Sequence, residues 1–176
     1  MGKLRYLRTS ILAGALAAIV VAGSTVAHDG NQGNSNGDQG NSGDHRNNGR
    51  VLDAKLAGIP ASLTGQTFMG ATGGGVAWQI SSGRARLTAG GQLDVRVRGL
   101  VLAAGASIGT NPVPTGRALV SCSGAVVAMS DSVPFSTAGD AWVSTKVTLP
   151  ASCLAPVIFF AGDTAAGLRW FAVTGF

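Results

Sequence analysis

Between Val51 and Phe176 few side chains can do chemistry. There are five aspartates (Asp53, Asp94, Asp131, Asp140 and Asp163), two cysteines (Cys122 and Cys153) and scattered serines. The same stretch has no histidine, no glutamate and no tyrosine. Histidine is the side chain that most readily takes and returns a proton near neutral pH, so general acid–base work has lost its commonest agent. A cysteine nucleophile needs a base beside it, and no histidine is present to serve. Neither Lys55 nor Lys146 completes an S-x-x-K motif. Two carboxylates can hydrolyse a glycosidic bond if the fold brings them together. Here Asp131, Asp140 and Asp163 fall at turn positions, where aspartate bonds its own backbone, and Asp94 falls opposite an arginine. The expectation is a non-catalytic chain, with an Asp-dependent hydrolase as the remote alternative.

The cysteines read as a disulfide. Two thiols pair in one way within a chain, and a zinc site normally asks for four nitrogen or sulfur ligands. A Cys122–Cys153 bridge closes a loop of about 30 residues, worth roughly 3–4 kcal/mol in the chain-entropy view. No metal or other cofactor is implied.

The N-terminus fits export. Lys3, Arg5 and Arg8 precede an apolar run from Ile11 to Val21, and Thr25-Val26-Ala27 suits cleavage after Ala27. The expected product is secreted or cell-surface (extracytoplasmic), where disulfides persist, with no transmembrane segment after cleavage. Losing Lys3, Arg5 and Arg8 lowers the formal net charge from +5 to +2, too small an excess for a nucleic-acid binder. Residues 28–50 contain no aliphatic or aromatic side chain. They read as a disordered Gly/Asn-rich linker, since they have nothing to bury against the entropy of ordering. Asp29, Asn31, Asp38, Asn41 and Asp44 offer oxygen ligands for calcium, but without the EF-hand spacing or its glutamate. His28 and His45 lie in the same arm.

Residues 51–176 must position whatever function there is. Their short Val-, Ala-, Leu- and Thr-rich runs are punctuated by Gly, Pro and Asp, which signals strands. The reading is an all-β domain: an antiparallel β-sandwich, Ig-like or jelly-roll-like, with a small β-barrel as second choice. Candidate strands are 51–57, 75–80, 117–122, 125–129, 157–161 and 168–174, besides two hairpins. In the first hairpin Leu87 needs an apolar partner. A three-residue loop, Ala89 to Gly91, pairs Leu87 with Leu93, Ala85 with Val95, Arg86 with Asp94 and Arg84 with Arg96. In the second, Phe135-Ser136 enters a Thr137-Ala138-Gly139 turn and Asp140 to Leu149 leaves it. Gly83 to Leu87 and Gly91 to Leu100 resemble the hairpin of CHRD-type secreted domains over about 18 residues. The histidine-containing segment that follows it in that family is absent, and no function is carried across.

Three surfaces are candidates for binding. Arg84, Arg86, Arg96 and Arg98 form a row on one sheet face, suited to an anionic glycan, a phosphate or an acidic partner. Trp142 shares its face with Ser144, Lys146 and Thr148, and so emerges on the wetter side. The last hairpin, holding Phe160 and Trp170, is apolar on both faces; it is either covered twice or open to another subunit. The chain therefore reads as a binding or surface-interaction module for an unknown protein or cell-surface partner, with a homo-oligomer through the C-terminal hairpin as one form. A structural subunit of an envelope, spore or extracellular layer is the alternative.

Overall fold

The computed structural model describes residues 49–175. The expected signal peptide, the arm up to residue 48 with its calcium and histidine candidates, and Phe176 lie outside the described residues. The strands in chain order are β1 (Arg50–Gly58), β2 (Thr67–Phe68), β3 (Ala71–Thr72), β4 (Trp78–Gln79), β5 (Ser82–Thr88), β6 (Gln92–Arg98) and β7 (Val101–Leu102). They continue with β8 (Thr115–Cys122), β9 (Ala125–Met129), β10 (Val133–Pro134), β11 (Ala141–Lys146), β12 (Val157–Thr164) and β13 (Gly167–Thr174). A single 3-10 turn, Ala61–Leu63, is the only helical element among the described residues. The all-β antiparallel class expected from the punctuated apolar runs is the one adopted.

One strand joins two layers. Along the main sheet the order is β10-β8-β12-β13-β1-β5-β6-β11, with β9 also beside β8. The first part of β1 pairs with β5, through Asp53↔Arg86 and Lys55↔Arg84. Its last three residues pair with β13, through Leu56↔Thr174 and Gly58↔Ala172. A strand that changes partner midway turns a corner, so the sheet curls into two facing layers. We call β1-β5-β6-β11 the front layer and β13-β12-β8-β9 the back layer.

The β5–β6 hairpin has the register expected from its alternation: Leu87↔Leu93, Ala85↔Val95, Arg86↔Asp94 and Arg84↔Arg96. Its alternate side chains Ala85, Leu87, Leu93, Val95 and Val97 are buried against the back layer. The second expected hairpin is corrected. The turn at Ser136–Asp140 is closed, with Ser136 N–H donating to the Asp140 carbonyl at 3.0 Å. However, β11 pairs with β6 (Ala141↔Val97, Val143↔Val95), not with the preceding segment. The preceding β10 has only two residues, one of them a proline without an N–H, and cannot offer a ladder. The expected strand over 75–80 shrinks to β4.

The C-terminal hairpin β12–β13 is covered on both sides. Inside, Phe160 and Phe171 meet Phe135 and Trp78, with ring centroids 5.0 Å apart for Phe135–Phe160 and 4.2 Å for Trp78–Phe171. Outside, the β2–β3 hairpin lies over it. Phe68 meets Phe159 edge-on at 6.2 Å, and the Trp170 indole N–H donates to the Ala71 carbonyl at 3.1 Å. Phe160 and Trp170 are both 0 % exposed, which corrects their assignment as contact residues. The open apolar face on which self-association through this hairpin rested is not there.

Two further ties close the fold. The Cys122–Cys153 disulfide forms, with Cα atoms 5.1 Å apart, joining the end of β8 to the loop before β12. Buried Asn111 donates from Nδ2 to the carbonyls of Val113 (2.7 Å) and Ser136 (2.8 Å), and its Oδ1 accepts from Val113 N–H (2.8 Å). It thereby pins the proline-rich loop to the turn that leads into β11.

Gly91 fixes the β5–β6 loop. It has φ +83°, and a Cβ there would stand 2.0 Å from the Val147 carbonyl oxygen, whereas a Cβ at Gly90 meets only Thr88 Oγ1, at 3.9 Å. Gly91→Ala is therefore expected to destabilise by about 2–4 kcal/mol and Gly90→Ala to change stability by less than about 1 kcal/mol. Urea unfolding of the two variants beside the parent checks this, and equal midpoints would contradict the loop geometry.

Candidate functional site

The outer face of the front layer gathers the charge. Alternation along β5 and β6 sends Ala85, Leu87, Leu93, Val95 and Val97 inward, so Arg84, Arg86, Asp94, Arg96 and Arg98 must face solvent. The register then lines side chains up across four strands. Lys55 of β1 is opposite Arg84, Arg84 is opposite Arg96, and Arg96 is opposite Trp142 of β11. At the usual spacing of about 4.8 Å between strands, this row is about 14 Å long. A second row runs Asp53, Arg86, Asp94, Ser144.

The charges on these rows are not equivalent. Asp53, with 14 % of its side chain exposed, is ion-paired to Arg84 at 2.5 Å, Arg50 at 3.1 Å and Arg86 at 3.5 Å. The hydrogen bond from Arg84 holds the Asp53 carboxyl below its ordinary range; partial burial opposes this, and the charges of Arg84, Arg86 and Arg50 reinforce it. The same bond raises Arg84. Asp94 does not ion-pair with Arg86 as its cross-strand position suggests. It accepts from Ser144 Oγ at 2.6 Å, while Arg86 turns to Asp53. Lys55, Arg96, Arg98 and Lys146 make no ion pair or side-chain hydrogen bond among the described residues, so their charge is free for a ligand.

Trp142 stands at the end of the first row and is 66 % exposed. It is not tucked under a loop. A depression of ≈ 550 Å³ lies between Trp142, Arg96, Arg98 and Asp140. Another of ≈ 400 Å³ adjoins it through Arg96 and Arg98 and reaches Lys55, Ile80 and Arg84. Of the sequence-derived contact residues, the structure thus brings Arg84, Arg96 and Trp142 together on one surface, with Lys146 two rungs along β11. Lys55 joins them. The signal for it was its place on β1, which cannot be assigned to a face until the pairing with β5 is known.

Two further aspartates tie parts of the scaffold together. Asp140 Oδ1 accepts from Gly99 N–H at 2.9 Å, and Asp163 accepts from Arg117 at 2.7 Å. Each depression described contains one carboxylate at most. The sequence gives no expectation of a nucleophile elbow, yet Gly105-Ala106-Ser107-Ile108-Gly109 does match the spacing G-x-S-x-G. It lies in an exposed loop after β7, not between a strand and a helix, and no histidine stands among the described residues to activate Ser107. Among the described residues no group of three or more His, Cys, Asp or Glu could hold a metal ion, and no helix is long and apolar enough to cross a membrane.

Because its pKa is depressed on folding, Asp53 contributes stability that is complete above its unfolded value, about 3.9, and lost as the pH falls through the lower folded value. Asp53→Asn is expected to lower stability at pH 7 and to flatten the decline between pH 5 and pH 2. Thermal melts across that range check it; parallel curves for parent and variant would remove the Asp53 cluster as a source of acid sensitivity.

The chain matches no protein-family model, no curated protein and no solved structure.

Proposed function

We propose that this is an exported, non-catalytic binding module that holds an acidic glycan on the outer face of its front layer. The observation that carries the reading is the row Lys55–Arg84–Arg96–Trp142. Guanidinium forks suit carboxylate or sulfate groups, and an exposed indole suits the apolar face of a sugar ring. The row is about 14 Å long, which fits a short linear segment better than a single small ion. The leader Lys3 to Ala27 and the disulfide support an extracytoplasmic site of action. A hydrolase ranks lower, because Asp53, Asp94, Asp140 and Asp163 are each engaged by a neighbour.

One observation favours the second reading, a subunit of an extracellular layer. Strand β9 has the sequence Ala-Val-Val-Ala-Met, lies beside β8 alone, and leaves Val126, Val127 and Met129 exposed. An uncharged edge strand of this kind favours pairing with another chain.

Polygalacturonate binding measured by calorimetric titration tests the first reading, with tryptophan fluorescence of the parent as a second readout. Trp142 is the exposed indole, since Trp78 and Trp170 are buried, so the ligand is expected to shift the red edge of the emission. Trp142→Ala and Arg96→Gln are each expected to weaken binding by about tenfold, and raising the salt from 50 to 300 mM to weaken it further. Neutral dextran is expected not to bind. Unchanged affinity in both variants would overturn the proposal, and concentration-dependent light scattering with no polyanion binding would favour the layer.

A further inference from the structure

A second cavity lies away from the basic face, at the end of the sandwich. It has a volume of ≈ 570 Å³, within the range of small-molecule sites. Its walls are mostly apolar: Val76, Leu102, Pro112, Val113 and Phe171, with Gly73, Gly74 and Gly75 along one side. Trp78 and Phe171 stack 4.2 Å apart where the cleft meets the core.

Five polar side chains line this cleft: Thr72, Trp78, Asp163, Thr164 and Arg169. Three are already engaged. Thr72 Oγ1 shares a hydrogen bond with Thr67 Oγ1 at 3.0 Å, Thr164 Oγ1 donates to the Gly167 carbonyl at 2.8 Å, and Asp163 accepts from Arg117 at 2.7 Å. Two are not. The Trp78 indole N–H has no hydrogen-bond partner among the described residues, although the residue is only 5 % exposed. The Arg169 guanidinium makes one long contact, 3.4 Å, to the Leu168 carbonyl, and forms no ion pair among the described residues. Arg169 sits two residues before Phe171 on β13 and so shares its side of the strand. Both uncommitted groups are donors and one is a cation, while the remaining wall is apolar. The Trp78 N–H lies at the cleft without a partner from the chain, so it can donate to an acceptor that enters there.

We propose that this cleft binds a small amphiphilic carboxylate, with its ring or short acyl body against Val76, Leu102, Val113 and Phe171 and its carboxylate between Arg169 and the Trp78 N–H. The site is independent of the basic face. Gly75 provides a clean test, because a Cβ added there meets nothing within 4 Å and the backbone is not in the left-handed region. Gly75→Leu therefore adds bulk at the cleft wall without backbone strain or a clash at Cβ.

Calorimetric titration of the oxidised protein with 2-naphthoate, and with its uncharged analogue naphthalene-2-carboxamide, separates the parts of the proposal. The parent is expected to bind the carboxylate at least tenfold more tightly than the amide. Arg169→Gln is expected to abolish that preference, and Gly75→Leu to weaken both probes at least tenfold with its melting temperature retained. Trp142→Ala is expected to leave both affinities unchanged. The proposal is overturned if the parent gives no saturable heat at millimolar probe, if Arg169→Gln keeps the preference, or if Trp142→Ala weakens the carboxylate while Gly75→Leu does not. The last outcome would place the anion on the basic face.

Discussion

The architecture rests on one constraint: the β12–β13 hairpin is apolar on both sides and must be shielded on both. Phe159-Phe160 and Trp170-Phe171 are consecutive in the chain, so the pleat sends one aromatic of each pair to either side. Burying each contributes about 1.5–3 kcal/mol, so neither set can be left in water cheaply. The front layer, with Trp78 and Phe135, shields one side, and the β2–β3 hairpin shields the other. A small segment that would otherwise be a loop, Thr67–Thr72, is thereby fixed as a lid on the back layer by hydrogen bonds from Trp170 and Ser121.

The consequence is a division of labour between layers. The back layer uses both of its faces for cohesion around β12 and β13 and has few side chains to spare. The front layer uses only its inner face, which releases the outer side chains of β1, β5, β6 and β11. That is where Lys55, Arg96, Arg98, Lys146 and the exposed Trp142 lie. The cleft belongs to neither face; it opens at the sandwich end, where the Pro112 loop and the Gly73–Gly75 segment spread apart around Trp78.

What was legible in the sequence was local. The β5–β6 register followed from matching Leu87 and Ala85 to Leu93 and Val95 across three loop residues, and the disulfide followed from there being only two cysteines. What was illegible was pairing at long range. Nothing near Ala141 says that β11 will join β6 rather than fold back on Phe135. The decision is made by the match of Ala141 and Val143 with Val97 and Val95, more than forty residues away. The grip of Asp53 on Arg84 and Arg86 was hidden for the same reason, because it needs β1 and β5 side by side. Nothing in the sequence singles out Asn111; its buried role depends on carbonyls from the Phe135–Ser136 segment. That Trp78 would line the same cleft as Arg169 could not be read from the neighbours of either.

The sorting of charge between layers has an effect that reaches beyond contact distance. The front face carries Lys55, Arg84, Arg86, Arg96, Arg98 and Lys146, with Arg50 at its rim, against Asp53, Asp94 and Asp140. The rest of the body carries Asp131 and Asp163 against Arg117 and Arg169. The positive excess of the described residues is thus gathered on one face. In the field of any negatively charged surface such a distribution produces a torque as well as a net pull. The torque turns β5 and β6 toward that surface within a Debye length of about 8–10 Å at ordinary salt.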